Sequence, residues 1–275
     1  MLYFSYAHLL CNFFLFFLLL ITTLLTSSIW TVPVNAHSGD VLGAYTSNAP
    51  TIDGVINEAT QEWGNAATVT FDILEGDATI YVMNDRRFLY IAAKVSDNSL
   101  DEIVNVGLDI FTIDFDVRHD GLQFNVGEDT ISIGARNRVG DGFVGPGLDI
   151  LDDQMINVDG MVGRVGNYNH FEIVHPIDSG DANDINAVYG GTIGVRFLLF
   201  DESGSDKRTI TVYPKGVSAD DSDQSNWADI TIIAPPDDGS ESSGGSGLPI
   251  TEIGIIVVAV GWAAYIGWII RKRRS

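Results

Sequence analysis

The 275-residue chain has one cysteine, Cys11, and only 15 Lys and Arg against 37 Asp and Glu. Each shortage removes a class of function. One cysteine cannot close an intrachain disulfide or build a thiolate metal site. So few bases leave no positive face for a phosphate backbone, and nucleic acid is not an expected partner. The middle of the chain has no apolar run long enough to span a bilayer, which excludes a multi-pass transporter. There is no nucleophile elbow, no His-Glu-x-x-His pair and no Walker loop. Paired carboxylates are plentiful, but at this acid density chance pairs are certain. Binding rather than catalysis is therefore expected. Disorder along the whole chain is excluded, because 45% of residues are hydrophobic.

What is present is unevenly placed. The formal charge is −22, yet residues 1–36 carry no charged side chain other than His8. Four bases, Arg271 to Arg274, close the chain. Residues 37–248 hold every acid but Glu252 and every base but those four, so 36 acids face 11 bases there, near −25. The acidity belongs to one segment of about 200 residues, a single large domain.

The ends predict placement. Leu9 to Leu25 is almost wholly apolar, and Val34-Asn35-Ala36 offers the −3 and −1 positions of a cut before His37. This reads as a secretory signal peptide over 1–36. No Lys or Arg precedes the apolar run, so an uncleaved N-terminal anchor is the alternative. Cys11 lies near the start of that run rather than after it, which argues against lipidation. A cleaved chain would have no thiol, and covalent c-type haem would be excluded.

Ile253 to Ile270 is the second apolar run. With Leu248-Pro249-Ile250 ahead of it, residues 248–270 approach the ~20 needed for a transmembrane helix. The basic tail, 271–275, is expected in the cytoplasm and the acidic domain outside, so the chain reads as a single-pass cell-membrane protein. Residues 235–247, rich in Ser, Gly and Asp, read as a flexible linker spanning roughly 20 Å. Leu248-Pro249-Ile250-Thr251 resembles the sortase cell-wall sorting signal. Glu252 stands where that pattern has Gly, so the plain anchor, with membrane lipid as partner, is preferred.

The middle, 37–234, reads as short strands of period two separated by Gly, Asn and Asp. Leu89, Ile91, Ala93 and Val95 share one face. Phe111, Ile113, Phe115 and Val117 share another, with Thr112, Asp114 and Asp116 opposite. Ile131 with Ile133, and Ile193, Val195, Phe197 and Leu199, repeat the pattern. No helical stripe of ten residues appears. The expected fold is all-β, an antiparallel, immunoglobulin-like β-sandwich.

Ala49-Pro50-Thr51-Ile52-Asp53-Gly54-Val55-Ile56-Asn57-Glu58, with Glu62-Trp63 and Ala66, resembles the opening of family 9 carbohydrate-binding modules. Asn84-Asp85, Phe88 to Ala93 and Val95-Ser96-Asp97 resemble that group's next strand. The wider group is the DOMON-like sandwich superfamily, which includes sugar binders and b-type haem binders. His175-Pro176-Ile177-Asp178-Ser179-Gly180-Asp181, with Lys207 and Ser225-Asn226-Trp227, is similar to the gamma-subunit type of ethylbenzene dehydrogenase on the haem side. The resemblance spans about residues 45–234 and implies the fold more firmly than the ligand.

Two ligands follow from it. A haem b without thiolate needs side-chain axial ligands in an apolar pocket. The resemblance implies a Met/His pair. Met83 ends a strand, and His175 shares the parity of Phe171 and Ile173, so Met83 and His175 are the preferred pair. Lys207 or Lys215 could replace the histidine. Such a domain would serve electron transfer to a redox partner at the outer membrane face. A sugar site instead needs aromatic faces for a surface glycan, and Trp63 and Trp227 are the available tryptophans. Both match framework positions, so packing is their competing reading. A structural surface domain with no small ligand is the third reading. Asp178, Asp181 and Asp184, spaced by three in a loop, form a candidate calcium site. Asp220, Asp221 and Asp223 offer another acidic loop.

Overall fold

The computed structural model describes residues 37–236, apart from 38, 58–60, 75, 104–106, 123, 203–207 and 220–222. The chain divides into two units, Met1–Pro235 and Pro236–Ser275, and the first is the subject here. The signal peptide, residues 237–247 of the linker, the transmembrane helix, the basic tail, Lys207, Asp220 and Asp221 lie outside the described residues. Among the described residues, no helix is long and apolar enough to cross a membrane.

Two sheets carry the fold. The larger runs β1 (Val41–Leu42), β15 (Ala228–Thr231), β13 (Thr192–Glu202), β7 (Ile110–Asp116), β8 (Asp129–Gly134), β9 (Arg138–Val144) and β10 (Ile150–Asp152). β14 (Arg208–Tyr213) also pairs with β13, beyond the stretch that β15 occupies. The smaller sheet runs β11 (Asp159–Val165), β12 (Tyr168–Pro176), β4 (Phe88–Ser96), β3 (Gly76–Asn84) and β2 (Ala67–Ile73). β5 (Glu102–Ile103) and β6 (Gly107–Leu108) form a short ribbon. The pairings between these strands are antiparallel, save β1 with β15.

Alternation along the strands builds one core between the sheets. Phe111, Ile113, Phe115, Ile131, Ile133, Val195, Phe197 and Leu199 come from the larger sheet. Ile80, Val82, Leu89, Ile91, Ala93, Phe171 and Ile173 face them from the smaller. Phe111 meets Phe171 across the gap with ring centroids 6.1 Å apart. Each of these side chains other than Ala93 contributes roughly 1.5–3 kcal/mol by leaving water. The expected faces of β4, β7, β8 and β13 are the ones observed.

The outer faces depart from expectation. Asp114 and Asp116, on the face opposite the apolar one, are buried. Asp114 accepts Arg196 Nε at 2.7 Å and Thr130 Oγ1 at 2.6 Å. Asp116 pairs with His37 Nε2 at 3.0 Å, and Asp229 pairs with His37 Nδ1 at 2.6 Å. Segments before β1 and before β15 therefore cover that face.

The outer face of the smaller sheet is covered by the segment between β1 and β2. Ile56 and Trp63 pack there on Tyr81, Met83, Tyr90 and Ala92. Glu172, on β12, fastens this cover. One carboxylate oxygen accepts Asp53 N at 3.0 Å and Gly54 N at 2.6 Å, and the other accepts Trp63 Nε1 at 2.8 Å. Gly54 sits at φ +82°, and a Cβ there would meet the Val162 carbonyl at 2.9 Å, so only glycine fits. The Asp53-Gly54 signature is thus a framework device that lays two backbone N–H groups on a buried acid.

Candidate functional site

β12 presents two chemistries on its two faces. Register places Met83 opposite Tyr90, and Tyr90 opposite Val174. His175 lies opposite Leu89, and Leu89 opposite Asn84. Successive residues point to opposite faces, so Met83 is on the covered outer face and His175 on the inner one. The sheet separates them, and they cannot ligate one iron. Met83 is fully buried against the Trp63 cluster. The expected axial pair is therefore not brought together.

The expected sugar-stacking tryptophans are also internal. Trp63 is 2% exposed and meets Tyr81 edge-on at 6.2 Å. Trp227 is 0% exposed, with the Arg196 guanidinium 4.9 Å from its ring centre and Phe124 at 5.7 Å. Neither offers a face to a ligand. Their packing reading is the one observed. Lys215, the described lysine alternative, is exposed.

The inner end of β12 opens on a cluster of acids. His175 is 1% exposed. Its Nδ1 lies 2.6 Å from the Pro176 carbonyl, which can only accept, so Nδ1 carries the proton. Nε2 is then a bare lone pair, 3.9 Å from Asp184 Oδ2. Burial first, against the opposing effects of Pro176 and Asp184, holds the imidazole below its usual pKa. Asp129, His175 and Asp184 bring one ligand atom each to within 4.8 Å of one another, and all three are buried. Asp153, Asp181 and Asp184 form a second such group that is more open.

Each acid has one oxygen held and one bare. Asp129 Oδ2 accepts Ile185 N at 3.2 Å, and Asp184 Oδ2 accepts Asn157 Nδ2 at 2.7 Å. Asp141 Oδ2 accepts Asn157 N at 2.8 Å, and Asp153 Oδ1 accepts Met155 N at 3.2 Å. The other oxygen of each is buried with no hydrogen-bond partner. Burial, then the charges of Asp184 and Asp141, raise Asp129 well above the usual carboxylate range. Burial likewise lifts Asp141 to about 6, with Asp184 and Asp153 adding to it.

Of the acids expected to bind calcium, Asp181 and Asp184 converge and Asp178 does not. Asp178 is exposed, and its carboxylate accepts Gly180 N at 3.0 Å. Asp129, Asp141 and Asp153 replace it, and the sequence reading missed them. They come from β8, β9 and the turn after β10. Asp129 shares the parity of the core residues Ile131 and Ile133, the argument that singled out His175.

Above this cluster lies a surface cleft of about 530 Å³. Arg86, Arg87, Phe88, Asn157, Asp178, Ser179, Val188 and Tyr189 are among its lining residues. Tyr189 is 44% exposed, and its hydroxyl donates to the Arg86 carbonyl at 2.6 Å, which fixes the ring. Arg87 sits over the Phe88 ring, 5.1 Å from its centre. Asn157 belongs to both places, lining the cleft while holding Asp141 and Asp184. A larger cleft of about 750 Å³ beside β8 and β9 is lined by Arg136, Arg138, Asp141, Asp152 and Asp153 and carries no aromatic ring.

No family model and no curated protein matches the chain. Solved structures do. The chain is similar to a family 9 carbohydrate-binding module from Caldicellulosiruptor kristjanssonii in complex with cellotriose, at 14% identity, TM-score 0.53, over 76% of this chain and 100% of that one. It is also similar to a family 9 module from that organism in complex with glucose, at 16% identity and TM-score 0.51, over 71% and 97%. The β-sandwich of those two modules is thus the fold to which this chain is similar.

Proposed function

We propose that the domain is a carbohydrate-binding module without catalytic activity, whose sugar site is the Arg86–Tyr189 cleft. The observation that carries this reading is the fixed, half-exposed Tyr189 ring among convergent polar groups. A pyranose sets its C–H face on an aromatic plane and gives its hydroxyls to polar side chains. Arg86, Arg87, Asn157, Asp178 and Ser179 supply donors and acceptors around the ring. The cleft lies within the ~300–1,000 Å³ of small-ligand sites. The larger cleft beside β9 has the volume but no ring. The fold is that of proteins solved with cellotriose and glucose, which adds support for a sugar.

In this reading the domain is exported, and residues 248–270 tether it to the outer face of the cell membrane. The glycan is then a surface or environmental one. The test is a panel of oligosaccharides presented to the full chain in a detergent without a sugar headgroup. Saturable binding of at least one glycan is expected. A folded protein that binds none contradicts the proposal.

A further inference from the structure

We infer that Asp129, His175 and Asp184 form a buried site for a divalent cation that accepts imidazole beside carboxylate, Zn²⁺ or Mn²⁺, with Asp141 and Asp153 at its rim. The argument begins with His175. A metal-ligating histidine donates its other ring N–H to a carbonyl or carboxylate, which fixes the tautomer and aims the bare nitrogen. Nδ1 of His175 makes that bond to Pro176, and Nε2 faces the acids. The carboxylates follow the same rule. Asp129, Asp141, Asp153 and Asp184 each hold one oxygen on an N–H donor and leave the other bare. Asp129, His175 and Asp184 come together in one buried group, and Asp184 also joins Asp153 and Asp181 in the more open one.

Distance separates a metal from a hydrogen bond. Nε2 of His175 lies 3.9 Å from Asp184 Oδ2, too far to share a proton. Two ligands on one tetrahedral ion, each bonded at ~2.0–2.2 Å, stand roughly 3.3–3.6 Å apart, so binding would draw the two groups together by a few tenths of an ångström. Protonating one acid would remove a single charge and satisfy at most one of the other bare acceptors. A cation satisfies all these atoms together. The imidazole narrows the choice, because calcium and magnesium take oxygen ligands, whereas zinc takes imidazole readily and manganese occupies mixed carboxylate–histidine sites. A route in exists, since Asp153 and Asp181 line an open cleft of about 540 Å³ with Phe143 and Met155.

The experiment uses the full chain, stripped with chelator and titrated separately with Zn²⁺, Mn²⁺ and Ca²⁺ by calorimetry. One equivalent of Zn²⁺ or Mn²⁺ is expected, raising the melting temperature. His175→Gln and Asp129→Asn should each weaken that binding at least tenfold. Should the variants fail to fold, pulsed electron paramagnetic resonance of the Mn²⁺-loaded wild type gives the answer, since imidazole nitrogen imprints its coupling on the metal. Three results would overturn the inference. They are the absence of saturable Zn²⁺ or Mn²⁺ binding, a Mn²⁺ spectrum without nitrogen coupling, and binding of Ca²⁺ alone that His175→Gln leaves intact and Asp181→Asn abolishes. None of these readouts depends on a sugar.

Discussion

Glu172 and His175 stand three residues apart on one strand and show two ways of burying a polar group. Glu172 faces the outer side, where the chain supplies donors to both its oxygens, from Asp53, Gly54 and Trp63. Its environment is complete within the polypeptide. His175 faces the inner side, where its bare nitrogen has no hydrogen-bond partner beside Asp129 and Asp184. That environment is complete only with a cation. Burial alone therefore does not mark a functional residue. What marks it is a fixed side chain whose remaining valence is left open.

The contrast can be broken by mutation, and the signs should differ. Glu172→Ala strands three donors and frees the cover over Tyr81 and Met83, so it should cost about 3–5 kcal/mol in urea unfolding. Glu172→Gln should recover part of that, because an amide oxygen can still accept.

The next largest effect is a pH dependence. Burial alone would lower the His37 pKa, but hydrogen bonds and charge from Asp116 and Asp229 outweigh it and raise it to about 9 from 6.5. The folded pKa exceeds the unfolded one, so this contribution is full below about 6.5 and is lost as pH rises through about 9. It is worth up to about 3 kcal/mol. His37→Gln should flatten the fall in melting temperature between those limits. An unchanged slope would place the dependence elsewhere. Asp109, raised to about 7 by burial and by the charges of Asp97, Asp101 and Asp201, adds a loss of stability as pH rises from about 4 through 7.

The smallest effect sharpens the comparison most. In metal-free protein, burial and the charges of Asp184 and Asp141 already disfavour the charged form of Asp129, so Asp129→Asn should be neutral or stabilising by about 1 kcal/mol. With Zn²⁺ or Mn²⁺ present the same change should destabilise. The sign reversal is read from melts with and without chelator. Glu172 variants should show no such reversal.

The sequence made part of this legible. Parity within single strands placed Leu89, Ile91, Phe111, Ile113, Phe197 and Leu199 in the core, and the structure agrees. The Asp53-Gly54 opening marked the scaffold, because only glycine tolerates that turn against Val162 and Gly163. Parity could not say which face of one strand matches which face of another. That requires register, and a one-residue shift exchanges the faces. Met83 and His175 were paired on that missing information. Trp63 and Trp227 read as available because sequence does not show which segments fold back over a sheet. Asp129, Asp141 and Asp153 converge through separate strands and turns, which no local spacing records.

The most direct test of the central claim, a sugar held in the Arg86–Tyr189 cleft, is a calorimetric titration of Tyr189→Ala beside wild type with whichever glycan the panel selects. The account predicts at least tenfold weaker binding with an unchanged melting temperature, since the ring is half-exposed and outside the core. Wild-type affinity in Tyr189→Ala would contradict it.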